Sequence, residues 1–161
     1  MARNSVSIAS PPETVFELLA DPRTYGKWVV GSREIQAADG DWPAPGSGFD
    51  HAVGFPPLDI NDETVVLGAS EPSRLVLKAK ARPLPSAHIR IELQPDGNGT
   101  RLTMVENFNN GLLNLLAGPV THLAIRVRNR EALRRLKALA EGSTPRPRGA
   151  LNPRQKARSN S

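Results

Sequence analysis

Cysteine is absent from the 161 residues. That removes disulfides, thiolate nucleophiles and cysteine metal ligands together, and it fits a cytoplasmic setting, where thiols stay reduced. Long apolar runs are missing as well. No N-terminal segment reads as a secretory leader, and none is long enough to span a bilayer. There is no phosphate loop, nucleophile elbow or dinucleotide fingerprint. Internal repeats are lacking. One acidic cluster exists, Asp59, Asp62 and Glu63, but no histidine stands at ligand spacing from it, so it is not read as a metal site. No cofactor is expected.

Acid is absent from the C-terminal end. From Gly142 onward the chain carries Arg146, Arg148, Arg154, Lys156 and Arg158 with no Asp or Glu. Removing those five from the 21 basic residues leaves 16, matching the 16 acidic ones. The net charge of +5 therefore belongs to the tail. The rest is neutral by formal count, so no nucleic-acid-binding face is expected on it. Residues 142–161 are rich in Pro, Gly, Ser, Arg and Asn, with Leu151 their one large apolar side chain, and read as a disordered basic tail. Such a tail could touch nucleic acid or an anionic membrane. With no aromatics between the charges, solubility or no role is the preferred reading. Residues 1–141 remain as one domain.

Within that domain one long helical signal stands out, Gly118 to Glu141, with Pro119 suited to the first turn and Gly142 as the stop. At 3.6 residues per turn, Ile125, Ala132, Leu133, Leu136, Leu139 and Ala140 share a side with two polar residues, His122 and Asn129. Val120, Leu123, Ala124 and Val127 form a second apolar patch, which predicts a curved partner wrapped around the helix.

The preceding chain supplies strands. Asn4–Ala9 alternates. Ser10-Pro11-Pro12-Glu13 reads as a capping box opening a helix to about Ala20, and Asp21 caps a second short helix reaching about Lys27. Strands are expected at Ser32–Ala38, Phe49–Gly54, Asp62–Ser70, Arg74–Arg82, Ala87–Leu93 and Arg101–Phe108, with a short apolar helix at Leu112–Leu116. Arg74–Arg82 places Leu75, Leu77, Ala79 and Ala81 on one face. Ala87–Leu93 points Ile89 and Ile91 inward and His88 outward. Pro95–Gly99 is a hairpin turn. The order β-α-α-β6-α, with short turns between consecutive strands, predicts an α+β fold: an antiparallel sheet with one face against the long helix.

The stretch SIASPPETVFELLADPRTYGKWVVGS resembles the opening of the SRPBCC superfamily in its polyketide cyclase/dehydrase-like branch. The matching positions are Ala9, Pro11 or Pro12, Val15, Phe16, Leu19, Asp21, Pro22 and Trp28. Similarity continues in the Trp42-Pro43 loop with Gly46, in Gly99-Thr100-Arg101 leading to Met104 and Glu106, and in Arg128-Asn129 ahead of Leu133 and Leu136. It covers roughly Asn4 to Glu141. The resemblance implies the START-like helix-grip fold, with a cavity between sheet and long helix. Members bind lipids, polyketides, quinones or hormone-like molecules, and some catalyse reactions; fold likeness alone does not say which.

Several residues stand out against that expectation. His51 shares a face with Phe49 and Val53; it could act as a general base or polarise a carbonyl, or be a hydrogen-bonded structural histidine. Glu106 shares a face with Leu102 and Met104 and needs a partner such as Asn129, Arg128 or Arg126. A structural clasp is its preferred reading, a polar anchor for ligand the alternative. For Asn129 both readings stand equally. His122 is read as exposed or near the cavity mouth. Trp28, Trp42 and Tyr25 could border the entrance or simply anchor loops on the core. The leading expectation is binding of a small, largely apolar ligand. Trp28, Phe49, Val53, Leu77, Ile91, Met104, Ile125 and Leu133 would give apolar contact, and His51, Glu106 and Asn129 would orient a polar end. The alternative is a cyclase, aromatase or dehydratase that moves protons with His51 and Glu106. An interaction module acting through the basic tail is the third class. No motif encodes the ligand's identity or an oligomeric state.

Overall fold

Alternation and turn chemistry dictate most of the architecture. The computed structural model describes residues 1–38, 40–55, 58–81, 86–108 and 118–142. The expected Leu112–Leu116 helix and the tail beyond Gly142 lie outside those residues. Seven strands, β1 (Ala2–Ile8), β2 (Ser32–Ala38), β3 (Gly48–Phe55), β4 (Leu58–Ser70), β5 (Arg74–Ala81), β6 (Ala87–Asp96) and β7 (Gly99–Phe108), form one sheet. Its spatial order is β1-β7-β6-β5-β4-β3-β2, antiparallel throughout. The turn between β6 and β7 is closed by the Asp96–Gly99 pair, and Gly97 takes the left-handed conformation it needs, at φ 61°. Register shifts bend the sheet between Ser32 and Ala37 in β2 and between Val66 and Gly68 in β4.

Helix α1 (Pro12–Leu19) and a 3₁₀ turn (Pro22–Thr24) running into α2 (Tyr25–Trp28) connect β1 to β2. Asp21 caps the 3₁₀ turn, accepting from the Arg23 backbone N–H at 3.0 Å. The expected capping box does not open α1. Pro11 holds the N-cap position without a side-chain cap, and the Ser10 hydroxyl instead donates to the Ala140 carbonyl at 2.9 Å. A distant partner there outcompetes the local pattern.

The long helix α3 (Gly118–Gly142) buries Ile125, Asn129, Ala132, Leu133, Leu136 and Ala140. Full burial of leucines such as 133 and 136 contributes about 1.5–3 kcal/mol each. In its second apolar patch Leu123 and Val127 are 62% and 60% exposed. The expectation of a partner on two sides is therefore corrected, since the sheet grips one side only. The helix approaches β1, α2 and α1 most closely and makes no comparable approach to β3, β4 or β5. Buried apolar side chains line the space between. Leu75, Leu77, Ile91, Leu102, Met104, Phe49, Phe16 and Leu133 belong to one buried cluster. This is the expected helix-grip arrangement, a bent antiparallel sheet closed by a terminal helix. No described helix is long and apolar enough to cross a membrane.

Candidate functional site

Two polar groups interrupt the apolar interior, at opposite ends of the sheet. The first joins β7 to α3. Glu106 follows Leu102 and Met104 on the inward face of β7 and is buried. Asn129 Nδ2 donates to Glu106 Oε2 at 2.8 Å. Arg128 Nη2 donates to the two carboxylate oxygens at 2.9 and 2.6 Å, and Arg128 also donates to Asn129 Oδ1 at 3.2 and 3.1 Å. The Glu106 side chain is 4% exposed and that of Arg128 45%, so the cation reaches solvent while the carboxylate stays inside. Every polar atom of Glu106 and Asn129 has a partner. The geometry is that of a clasp, reinforced nearby by Asn4 Nδ2 donating to the Arg126 carbonyl at 3.1 Å and Lys137 Nζ donating to the Ser7 carbonyl at 2.8 Å.

The second group lies where α2, the Trp42 loop, β3 and β4 meet. Strand alternation directs Phe49 and His51 inward on β3 and Asp62 and Thr64 inward on β4; all four are buried. The register sets His51 directly opposite Asp62. His51 Nε2 is 3.7 Å from Asp62 Oδ2, an ion-pair approach just too long for a hydrogen bond. Rings pack beside them. Ring-centroid separations are 4.9 Å for Tyr25–Trp28, 4.7 Å for Tyr25–Phe49, 4.7 Å for Trp42–Phe49 and 5.2 Å for Phe49–His51. Trp42 Nε1 donates to the Leu19 carbonyl at 3.3 Å. By contrast, Tyr25 Oη, Trp28 Nε1, His51 Nδ1 and Asp62 Oδ1 are buried without a protein hydrogen-bond partner.

Burial shifts the titration of these groups. It lowers the pKa of His51, partly offset by the nearby Asp50 charge. It raises that of Asp62, against backbone N–H groups of Lys80 and Glu63 and the Arg128 charge. The Tyr25 hydroxyl is pushed well above its ordinary value by burial alone. Burial thus disfavours the charged form of both the imidazole and the carboxyl.

The sequence-predicted residues divide between these places. Leu77, Ile91, Met104 and Leu133 are buried between the two polar groups, and Ile125 is buried on α3. The side chain of Val53 lies outside the described ones. His51 and Glu106, the expected proton-transfer pair, stand on strands β3 and β7, four strand spacings of about 4.8 Å apart along the sheet. Glu106 is also fully engaged in the clasp. Trp28, Trp42 and Tyr25 are buried in the ring cluster, not exposed at a rim. His88 is half-buried in register with the outward Lys78. His122 is likewise half-buried. Glu63, next to Asp62, points outward and meets Lys80 at 2.8 Å. The side chain of Asp59 lies outside the described ones. No cluster of metal-ligating side chains occurs among the described residues.

Asp62 is the residue that sequence reasoning missed as a site candidate. Its signal was available in the symmetry of the hairpin. Phe55 pairs with Leu58, so counting four residues outward on each arm reaches His51 and Asp62. A separate groove of about 500 Å³ lies outside this interior, between β1 and α3, and is lined by residues including Asn4, Val6, Val127 and Arg130.

Solved structures share this architecture. A protein of Chromobacterium violaceum has a TM-score of 0.68 at 19% identity, over 86% of this chain and 96% of its own. One from Arthrobacter aurescens has 0.72 at 13% identity, over 93% and 91%. Ara h 8.0201 has 0.71 at 10% identity, over 87% and 96%. At such identities the likeness concerns the fold. No curated protein sequence matches the chain. The family model described as polyketide cyclase / dehydrase and lipid transport matches residues 2–141, from the first strand to the end of the long helix. The chain belongs to that family.

Proposed function

We propose that the protein binds a small, largely apolar molecule between the sheet and α3, with the molecule's polar end at the His51–Asp62 side. The observation that carries this reading is the set of four buried polar atoms without protein partners, on Tyr25, Trp28, His51 and Asp62. Leaving such an atom unpaired costs about 1–3 kcal/mol, and native interiors rarely hold several together. A bound molecule with complementary groups removes that cost. Leu77, Ile91, Met104 and Leu133 supply apolar walls, with Phe49, Trp28 and Ile125 nearer the ends. Glu106 and Asn129, saturated by each other and by Arg128, hold the helix in place and are not the orienting groups of this reading. The family description, which includes lipid transport, agrees with it.

The test is native mass spectrometry of protein purified from its own host, combined with titration of an apolar fluorescent probe. A co-purifying small molecule, or saturable probe binding weakened by Leu77→Trp, is the expected outcome. Protein that carries nothing and takes up no probe overturns the reading.

A second reading is favoured by one distance. The 3.7 Å approach of Asp62 to His51 resembles a carboxylate orienting an imidazole base. A polyketide-like carbonyl substrate with an acidic α-hydrogen could lose that proton to His51. His51→Gln would then abolish turnover while leaving binding in place. Equal loss of both would remove the catalytic reading.

A further inference from the structure

The free edge of the sheet has no part in the interior. β1 stands at the end of the strand order and pairs with β7 on one side only. Along such a strand the main-chain N–H and C=O groups turn alternately to one edge and the other. Two contacts fix which residues turn away from β7. The Ser7 carbonyl accepts from Lys137 Nζ at 2.8 Å, and just past the strand the Ala9 N–H donates to Glu141 Oε1 at 3.1 Å. The Ile8 carbonyl stands against Gly99 of β7 instead. The Ser5 and Thr103 hydroxyls, 3.0 Å apart, suit a strand pair of the close, non-hydrogen-bonded kind. Arg3 and Ser5 therefore offer both main-chain groups to the free edge, and among the described residues nothing bonds them there. The last turns of α3 cover only the far end of β1.

The groove of about 500 Å³ between β1 and α3 opens beside this edge. Val6, Val127 and Leu133 give it aliphatic walls. Arg130, Arg134 and Lys137 line it too, against a single acid, Glu131. Arg134 and Arg135 already hold Glu131, at 2.7 and 2.9 Å. Arg130 is exposed and has no ion pair among the described residues. We propose that the β1 edge and this groove take up an extended acidic segment of a partner protein, added to the sheet as a further strand. Main-chain bonds to Arg3 and Ser5 supply the affinity. Carboxylates at alternate positions of the segment, turned towards Arg130 and its neighbours, supply the selectivity. Charge decides among the possible occupants. Residues 143–161 carry five basic residues and no acid, so the chain's own end is repelled. A second copy pairing β1 to β1 gathers the cations of two chains at one seam. An anionic bilayer satisfies the cations but offers no strand to the edge groups.

The test uses the full chain and a fluorescently labelled nonapeptide alternating glutamate with valine, followed by fluorescence anisotropy. Saturable binding is expected, and replacing every glutamate by lysine should abolish it. Two further peptides keep all the charges but carry backbone N-methyl groups, on the glutamates in one and on the valines in the other. One of these two should bind at least about tenfold weaker than the parent, because methylation removes the donors that face β1. Ser5→Pro removes a main-chain donor that an edge strand can spare, and should weaken the parent peptide at least about threefold. Arg130→Glu should weaken it at least about threefold as well. Circular dichroism checks that both variants fold. Both N-methylated peptides binding the wild type as tightly as the parent would reduce the contact to charge alone and overturn the proposal, whatever the variants do. A lysine peptide that binds as tightly as the parent also overturns it. Vesicles of equimolar phosphatidylcholine and phosphatidylserine form the last arm. Vesicle binding without peptide binding assigns the surface to a membrane and overturns the proposal, as does binding of neither.

Discussion

The clasp and the ring cluster are both polar insertions into the same apolar interior, and they are opposites. Every polar atom of the Glu106 and Asn129 side chains is paired, with each other or with Arg128, and the charge of one partner reaches solvent, although Asn4 Oδ1 nearby is buried without a partner. Around His51 four polar atoms are left without protein hydrogen-bond partners. A satisfied network rigidifies and specifies one packing. An unsatisfied one lowers stability, and its retention points to a ligand. Burial alone does not separate the two, since Glu106 and His51 are about equally buried. The partner inventory does.

The sharpest way to break the contrast is at the clasp. Arg128→Met leaves the Glu106 carboxylate buried with Asn129 alone, and should cost about 3 kcal/mol in urea unfolding. Ligand affinity should move little. A large loss of affinity with unchanged stability would reverse the roles assigned to the two regions.

Next comes Asp62. Its raised pKa means that the folded state holds a proton more tightly than the unfolded one. Its contribution to stability is therefore lost as pH rises from the unfolded value near 3.8 through the folded value. At neutral pH the ionised group is a cost, so Asp62→Asn should raise stability by on the order of 1 kcal/mol. A destabilised variant would mean that the carboxylate is paired after all.

His51 acts in the opposite sense. Its folded pKa lies below the ordinary value of 6.5, so below that pH the unfolded state binds the extra proton. Stability should fall as pH drops through that window towards the folded pKa. His51→Gln should flatten this part of the profile, by up to about 1 kcal/mol between about pH 7.5 and 5. An unaltered profile would assign the titration elsewhere.

The last effect is expected at Tyr25. Replacing it by Phe removes a buried hydroxyl that has no protein partner and should raise the stability of the ligand-free protein by roughly 1 kcal/mol, whereas ligand affinity should weaken. Thermal unfolding with and without ligand measures both.

Much of this was legible beforehand. The alternation of Leu75, Leu77 and Ala79 against Val76, Lys78 and Lys80 carries its own face assignment. Asn129 on an apolar helix stripe and Glu106 on an apolar strand face advertise each other, because a buried amide and a buried carboxylate need partners. Other features were hidden where a local pattern competed with a distant one. Ser10 looks like a cap, yet the last turn of α3 claims its hydroxyl. Asp62 reads as one of three neighbouring acids, but adjacent residues of a strand face opposite ways, so Asp62 and Glu63 belong to different environments. Leu123 and Val127 suggest burial by composition. Their exposure follows from a sheet that grips only one side of the helix.

The hairpin between β3 and β4 gives the site an arithmetic character. His51 and Asp62 meet because each stands four positions from the Phe55–Leu58 pair. What is specified is a count along two arms, not a local motif. One residue added between Phe55 and Leu58 would thus act as a change at the site itself, uncoupling imidazole from carboxylate without substituting either.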